Sequence, residues 1–221
     1  MTRDTLFSIL PEELSAGLIE NSETVTLAPG QALFRVGDPC DGCYHIVEGL
    51  LKVTVVLPTR RERILAILGP GAFAGELSMM DGAPRSASVV AIRESKLYFF
   101  SRAAFDEFGR RNPELYRYIA DLLARRLRDN SAALAMSSPA VKAGAAWALL
   151  SLAEAFGKDV GSGRILIHQK ISQSDLAAMA GIARENLNRI LRDWTRGSIV
   201  SRLSGYYCVE NKVALEREAD N

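Results

Sequence analysis

The sequence predicts an α+β protein in which a small strand-rich domain comes first and helices follow. Three observations carry this. From Thr24 to about Phe100 the chain breaks into short alternating or apolar runs, VTLAPG, ALFRVGD, CYHIVEGLLKVTVVLP, RILAILGPGAF, SASVVAI and KLYFF, separated by Gly and Pro. Strands of that length with regular turn signals make a small barrel or sandwich. After Ser101 the apolar period lengthens to three and four, the helical spacing. Beyond Ser137-Ser138-Pro139, where proline stops a helix, apolar helices and a terminal hairpin pattern form a second domain.

Each element follows in order. A short helix is expected around Pro11 to Asn21, ahead of the strands. Gly30, Gly37, Gly49, Gly69, Gly71 and Gly75 stand at the breaks between strands, where crowded or left-handed backbone is expected. Ser101 caps a short helix (SRAAFDEFGRR), and Asn112 followed by Pro113 opens a longer one to about Met136. In it Tyr116, Ala120, Leu123, Leu127, Asn130 and Leu134 recur at alternating steps of four and three, a coiled-coil seam that pairs with a second helix or packs on the strand domain. Asn130 in such a seam fixes register or contacts something else. A helix from Ala140 to Phe156, a loop GKDVGSG, a strand RILIH, two short helices, and two strands turning at Ser204-Gly205 complete the chain. The division is 1–112, 113–138 and 139–221.

With 221 residues, 48% apolar and 24% charged, the chain is an ordinary globular sequence, which excludes collagen, disorder and a disulfide scaffold. Its balance of 27 Lys+Arg against 26 Asp+Glu argues, as a total, against a nucleic-acid partner, which usually demands a basic protein. The N-terminus lacks a secretion signal and Ala143 to Ala153 is too short to span a bilayer, so a cytoplasmic protein without membrane contact is expected. Cys40, Cys43 and Cys208 are too few for an iron–sulfur cluster and read as a dithiol or as plain thiols. His45 and His168 are the only histidines, each in a predicted strand, so no metal site and no catalytic triad are expected.

The segment SQSDLAAMAGIARENLNRILRDW reads as helix, turn, helix. Ser172 with Asp175 makes a capping-box-like start, Gly181 breaks the first helix, and Leu187, Ile190, Leu191 and Trp194 form the inner stripe of the second. The opposite stripe holds Arg184, Glu185, Asn188, Arg189 and Arg192. Arg matches guanine, Glu accepts from cytosine and Asn pairs with adenine, and the second helix of such a unit lies in the major groove. A solvated amphipathic helix would also be charged on that face. Within Ser172 to Leu203, five arginines, Arg184, Arg189, Arg192, Arg196 and Arg202, face only Asp175, Glu185 and Asp193, so near-neutrality hides a local surplus.

A second motif is Gly75-Glu76-Leu77-Ser78, followed by Pro84-Arg85-Ser86-Ala87. Gly75 permits close approach, successive N–H groups through Glu76, Leu77 and Ser78 form an anion nest, and Arg85 and Ser86 supply a charged fork and a hydroxyl. Glu76 cannot bind phosphate and would accept from a ribose hydroxyl. From these residues alone, a structural Glu76–Arg85 ion pair is an equal reading.

Taken together these strings resemble the CRP/FNR family of bacterial transcription regulators. The first matches the family's R-E-x-x-x-R recognition helix at Arg184, Glu185 and Arg189, though Ala183 stands where a Ser or Thr cap is usual, at a cost of about 1 kcal/mol. The second resembles the phosphate-binding cassette of cyclic-nucleotide-binding domains at Gly75, Glu76, Leu77, Pro84, Arg85, Ser86 and Ala87. The resemblance implies a jelly-roll-like β-roll, a dimerisation helix at 113–138, and a winged helix-turn-helix whose wing turns at Ser204-Gly205 and touches phosphate. It also implies cyclic AMP, or cyclic GMP, as allosteric ligand, its base meeting Asn130 and Ser131, the latter across a homodimer. Further implications are a palindromic double-stranded operator with half-sites about 34 Å apart, and RNA polymerase as a partner. The other functional readings are a nucleotide-binding module that regulates a protein, or a family member tuned to a different effector. No enzyme activity is implied.

Overall fold

The computed structural model describes residues 12–20, 22–135 and 141–220, the side chains of Glu12, Ser15, Arg125 and 129–135 lying outside that set. Among the described residues, helix α1 (Glu12–Glu20) precedes β1 (Glu23–Leu27), β2 (Ala32–Phe34), β3 (Gly42–Val56), β4 (Glu62–Leu68), β5 (Phe73–Ala74), helix α2 (Glu76–Asp81), β6 (Ser88–Ser101), α3 (Arg102–Arg111) and α4 (Glu114–Ala135). Then come α5 (Val141–Phe156), β7 (Gly157–Asp159), β8 (Ile165–Ile167), α6 (Gln173–Ala180), α7 (Arg184–Arg196), β9 (Val200–Leu203), β10 (Tyr206–Val209) and α8 (Lys212–Asp220). The chain divides into two compact units, Asp4–Arg128 and Asp129–Asn221.

In the first unit all pairings are antiparallel, in the order β1-β6-β3-β4 with β2 on β6 and β5 on β3. Strand alternation builds two apolar layers. Tyr44, Ile46, Leu97 and Phe99 point into one with Leu27, Leu51, Leu68 and Val89; Cys43, Tyr98 and Phe100 point into the other. The second layer is completed by Leu14 and Leu18 of α1, Phe105 of α3, and Leu115 and Ile119 of α4.

The sequence runs SASVVAI and KLYFF, read as separate segments, belong to one strand, β6, that stays continuous through Glu94 and Ser95. Its register on β3 shifts around Glu48 and Leu50, and the Ser95 hydroxyl serves the irregularity by accepting from Leu50 N at 3.2 Å and donating to Arg93 O at 2.8 Å. Ser101 caps α3, accepting from Ala104 N at 3.2 Å. Asn112 departs from its expected part: its side-chain amide donates to Phe108 O at 3.0 Å, closing α3, while its carbonyl accepts from Leu115 N. On α4, Leu115 and Ile119 rather than the predicted seam carry the main packing on the strand unit, and Leu127 of the seam is 67% exposed.

In the second unit β7-β8-β10-β9 form an antiparallel sheet. The GKD stretch, read as loop, is strand β7, pairing with β8 around a Gly161–Gly163 turn; its low apolar content gave no period to read. Helix α8 is not expected from the sequence; Asn211 starts it, accepting from Ala214 N at 3.0 Å. The predicted hinge at Ser137, Ser138 and Pro139 lies outside the described residues.

Candidate functional site

The cassette is built around Gly75 and helix α2. Gly75 sits at φ +88°, and a Cβ there would lie 2.4 Å from Arg85 Nη1, so a side chain is excluded by both conformation and space. The expected turn through Glu76, Leu77 and Ser78 is the first turn of α2, which Gly75 precedes and Gly82 closes in the left-handed region. Ser78 is buried and donates to Pro84 O at 3.3 Å, tying the helix to the segment before Arg85, while Leu77 is half exposed and Ser86 is at the surface.

Glu76 and Arg85 are both buried, each 2% exposed, and do not pair with each other. Arg85 donates from Nη1 to Gly75 O at 2.9 Å and from Nη2 to Gly42 O at 2.7 Å and to the Asp41 carboxylate, with its guanidinium carbon 4.3 Å from the Phe34 ring centroid. Glu76 Oε1 accepts from Arg126 of α4, whose Nη2 also donates to Phe73 O at 2.5 Å. Glu76 Oε2 is buried with no hydrogen-bond partner. All these groups except Asp41, Gly42 and Phe73 line one cavity of about 70 Å³, formed in part by Phe34, Gly75, Glu76, Arg85, Ser86 and Arg126. It combines two cations, a carboxylate oxygen with unused acceptor capacity, and apolar walls from Leu68, Ala74 and Val89.

Arg126 escaped the sequence reading. Its signal was available: Leu115, Ile119, Leu122 and Arg126 recur at steps of four, three and four, so a cation stands on the stripe that packs against the strands. Asn130 and Ser131 lie on α4, and their side chains are outside the described residues. Cys43 is buried, and burial first, then the Glu76 carboxylate, push its thiol well above the ordinary range, which opposes thiolate chemistry. No group of three or more His, Cys, Asp or Glu able to hold a metal occurs among the described residues.

In the second unit Ser172 caps α6: its hydroxyl accepts from Asp175 N at 3.0 Å and donates to Asp175 Oδ2 at 2.6 Å, so both functions are committed to the turn. Gly181 takes φ +72°, allowing the chain to leave α6 and enter α7 through Ala183, which supplies no side-chain cap. Leu187, Ile190, Leu191 and Trp194 are buried, which turns Arg184, Glu185, Arg189 and Arg192 outward, all exposed. Asn188 is half buried with Oδ1 enclosed and unpartnered, so it stands apart from the exposed row. Beside it a groove of about 630 Å³ runs between α7 and β9, lined by Gln173, Asn188, Arg192, Thr195, Arg202 and Tyr207 among others. The β9–β10 turn has Ser204 at φ +52° and Gly205 at φ +89°, the paired positive values of a tight hairpin.

Among the described residues no helix is long and apolar enough to cross a membrane. A cyclic nucleotide-binding domain model matches residues 24–112 and a Crp-like helix-turn-helix domain model matches 145–218. The chain is 32% identical over 207 residues to a CRP-like cAMP-activated global transcriptional regulator of Mycobacterium tuberculosis, spanning 93% of this chain and 91% of that protein. It is also 32% identical to a cyclic AMP receptor protein of Thermus thermophilus over 86% and 85% of the two chains. The solved structure of the Thermus thermophilus catabolite activator protein aligns with a TM-score of 0.56 at 30% identity, covering 97% of this chain and 98% of that one. A glycine-hinged cassette in a strand-rich unit, followed by a helix-turn-helix with its arginines outward, thus coincides with full-length sequence similarity: the chain belongs to the CRP/FNR family, DNA-binding transcription regulators with a cyclic-nucleotide-binding domain.

Proposed function

We propose that this chain is a homodimeric regulator gated by cyclic AMP. The observation that carries the ligand reading is the buried, unpartnered Oε2 of Glu76 beside Gly75 and Arg85. An enclosed carboxylate oxygen with a free lone pair is costly unless a donor reaches it. A ribose 2′-hydroxyl is such a donor, while the cyclic phosphate takes Arg85, Ser86 and the N–H groups at the start of α2. Gly75 leaves room for backbone approach and Leu77 and Ser78 shape the floor. Ser131 of a second subunit and Asn130 then engage the base. The cavity of about 70 Å³ is well below the roughly 300 Å³ of ordinary ligand pockets, so its walls part when a nucleotide enters. Leu77 and Ser86, the exposed wall residues, move most cheaply, whereas Arg126 is tied to Glu76 and to Phe73 O.

The ligand shifts an equilibrium only by favouring one arrangement, and a bridge from the cassette to α4 of a partner supplies that preference. Paired α7 helices then read a palindromic operator through Arg184, Glu185, Arg189 and Arg192, with Asn188 and Ser172 at the flank, in a cytoplasmic protein that meets RNA polymerase at its promoters. Calorimetry with cyclic AMP and cyclic GMP tests the ligand: Arg85→Leu is expected to lose all measurable binding, and binding equal to the parent refutes the cassette. A gel shift with a palindromic duplex, with and without nucleotide, tests gating; a shift indifferent to both nucleotides refutes it.

A further inference from the structure

The arginine of the cassette already holds an anion. A guanidinium grips an oxyanion in a fork through one of two edges, Nε with Nη2 or Nη1 with Nη2, and both edges use Nη2. In Arg85 the two protons of Nη2 are taken, one by the Gly42 carbonyl at 2.7 Å and one by the Asp41 carboxylate, while Nε is buried without a partner. A phosphate that takes a fork must therefore evict one of the two acceptors. Gly42 O belongs to backbone at the start of β3, in register with Ser101 of β6, and cannot swing away. Asp41 is on a rotatable side chain that is 58% exposed, so water can receive its carboxylate. The carboxylate is also held in place from the other side: Asp41 Oδ2 accepts from the Tyr44 hydroxyl at 2.8 Å, and the Tyr44 ring is packed against Phe99 at 4.9 Å and Phe34 at 6.0 Å between centroids.

We propose that Asp41 is an internal competitor for the phosphate of the nucleotide at Arg85 and, steadied by Tyr44, sets the affinity of the site. The inference rests on the cassette reading above. Binding exchanges one monoanion for another on Nη2, so the charge-assisted bond to Asp41 is subtracted from whatever the ligand gains, and the displaced carboxylate remains near enough to repel the phosphate. This explains how a buried arginine can be kept paired without a ligand and yet be released to one, since an unpaired buried cation would be far more costly. It also makes Asp41 an affinity-determining residue that no cassette position encodes.

The test is calorimetry with cyclic AMP and with cyclic GMP on the full chain, comparing the parent with Asp41→Asn, Tyr44→Phe and Asp41→Asn/Arg85→Leu. Asp41→Asn keeps the shape and removes the charge, and is expected to bind whichever nucleotide the parent binds about tenfold tighter, the scale of one charge-assisted hydrogen bond. Tyr44→Phe, which releases the tether alone, is expected to gain about twofold to threefold on the same scale, and the double variant is expected to bind neither. Parent-like or weaker binding by Asp41→Asn overturns the proposal, because it would make Asp41 a support for Arg85. If Asp41→Asn does not fold, Tyr44→Phe decides in the same sense, tighter binding supporting and parent-like or weaker binding overturning. If neither the parent nor Asp41→Asn binds either nucleotide, the cassette reading falls and this inference with it.

Discussion

Removing Arg126 should destabilise the first unit, and removing Glu76 as well should restore most of the loss. Glu76 is 2% exposed and Arg126 is its ion-pair partner, so Arg126→Met leaves a buried carboxylate with both oxygens unpartnered. Breaking a buried pair typically costs 3–5 kcal/mol. Arg126 is 30% exposed, which screens the pair and admits water, so about 2–3 kcal/mol is expected here. Glu76→Gln leaves Arg126 its bond to Phe73 O and its contact with water, and about 1 kcal/mol is expected. The double variant buries no charge and should cost about 1 kcal/mol, giving a coupling of about 2–3 kcal/mol. Urea unfolding followed by circular dichroism reads this, because Trp147 and Trp194, the two tryptophans, are both in the other unit. At an m-value near 2 kcal/mol/M, Arg126→Met lowers the midpoint by about 1 M. A shift under about 0.2 M, or costs that simply add in the double variant, would refute the assignment of Arg126 as the partner that makes a buried Glu76 tolerable.

Three further outcomes are expected. Ala183 precedes α7 in extended conformation with no side-chain cap, so Ala183→Ser should stabilise the second unit by up to about 1 kcal/mol, seen as a later thermal transition in Trp194 fluorescence; an unchanged transition counts against the cap geometry. Burial lowers His45 from 6.5 to about 4, so the unfolded chain takes up a proton there first as pH falls. Its contribution to stability is fully present above about pH 6.5 and drains away towards pH 4, an upper bound of about 3 kcal/mol that His45→Phe should remove from the acid limb of a stability–pH curve. Arg189 is exposed on α7, so Arg189→Ala should leave unfolding within about 0.5 kcal/mol of the parent and weaken operator binding by about 1–3 kcal/mol; an equal loss on scrambled duplex in fluorescence anisotropy would make it a phosphate contact instead.

How far these elements were legible depends on the range of the interaction that forms them. Helix α7 and the β9–β10 hairpin were readable because their causes are local: an apolar stripe at 187, 190, 191 and 194, and a Ser-Gly pair that tolerates positive φ. Gly30, Gly37, Gly71 and Gly75 take positive φ for the same reason, Gly75 in a left-handed conformation that any L side chain resists, whereas Gly49 lies inside β3 and Gly69 is not among the positive-φ glycines. The single strand β6 was not readable, because its continuity through Glu94 and Ser95 is enforced from across the sheet, by Ser95 binding the backbone of β3. Strand β7 depends likewise on pairing with β8 and not on its own sequence, Gly-Lys-Asp.

The cassette divides along the same line. Gly75, Glu76, Arg85 and Ser86 lie within a dozen residues, so a motif could collect them, but a motif also invites pairing Glu76 with Arg85 simply because they are neighbours in it. Each instead takes a partner from far along the chain, Arg126 at a separation of 50 residues and Asp41 at 44. Two opposite charges buried a few residues apart and paired to others make a different device from one ion pair. A Glu76–Arg85 pair would neutralise itself and leave no cation for an anionic ligand. Separate partners leave Glu76 Oε2 open to a donor and pair the fork of Arg85 with an exposed carboxylate that an acceptor can displace, which is what a molecule carrying a hydroxyl and a phosphate requires. Total charge is a poor guide to function here because charges act through where the fold puts them: a sum of +1 for the chain says nothing about five arginines against three acids over residues 172–203, nor about which of those arginines the fold turns outward.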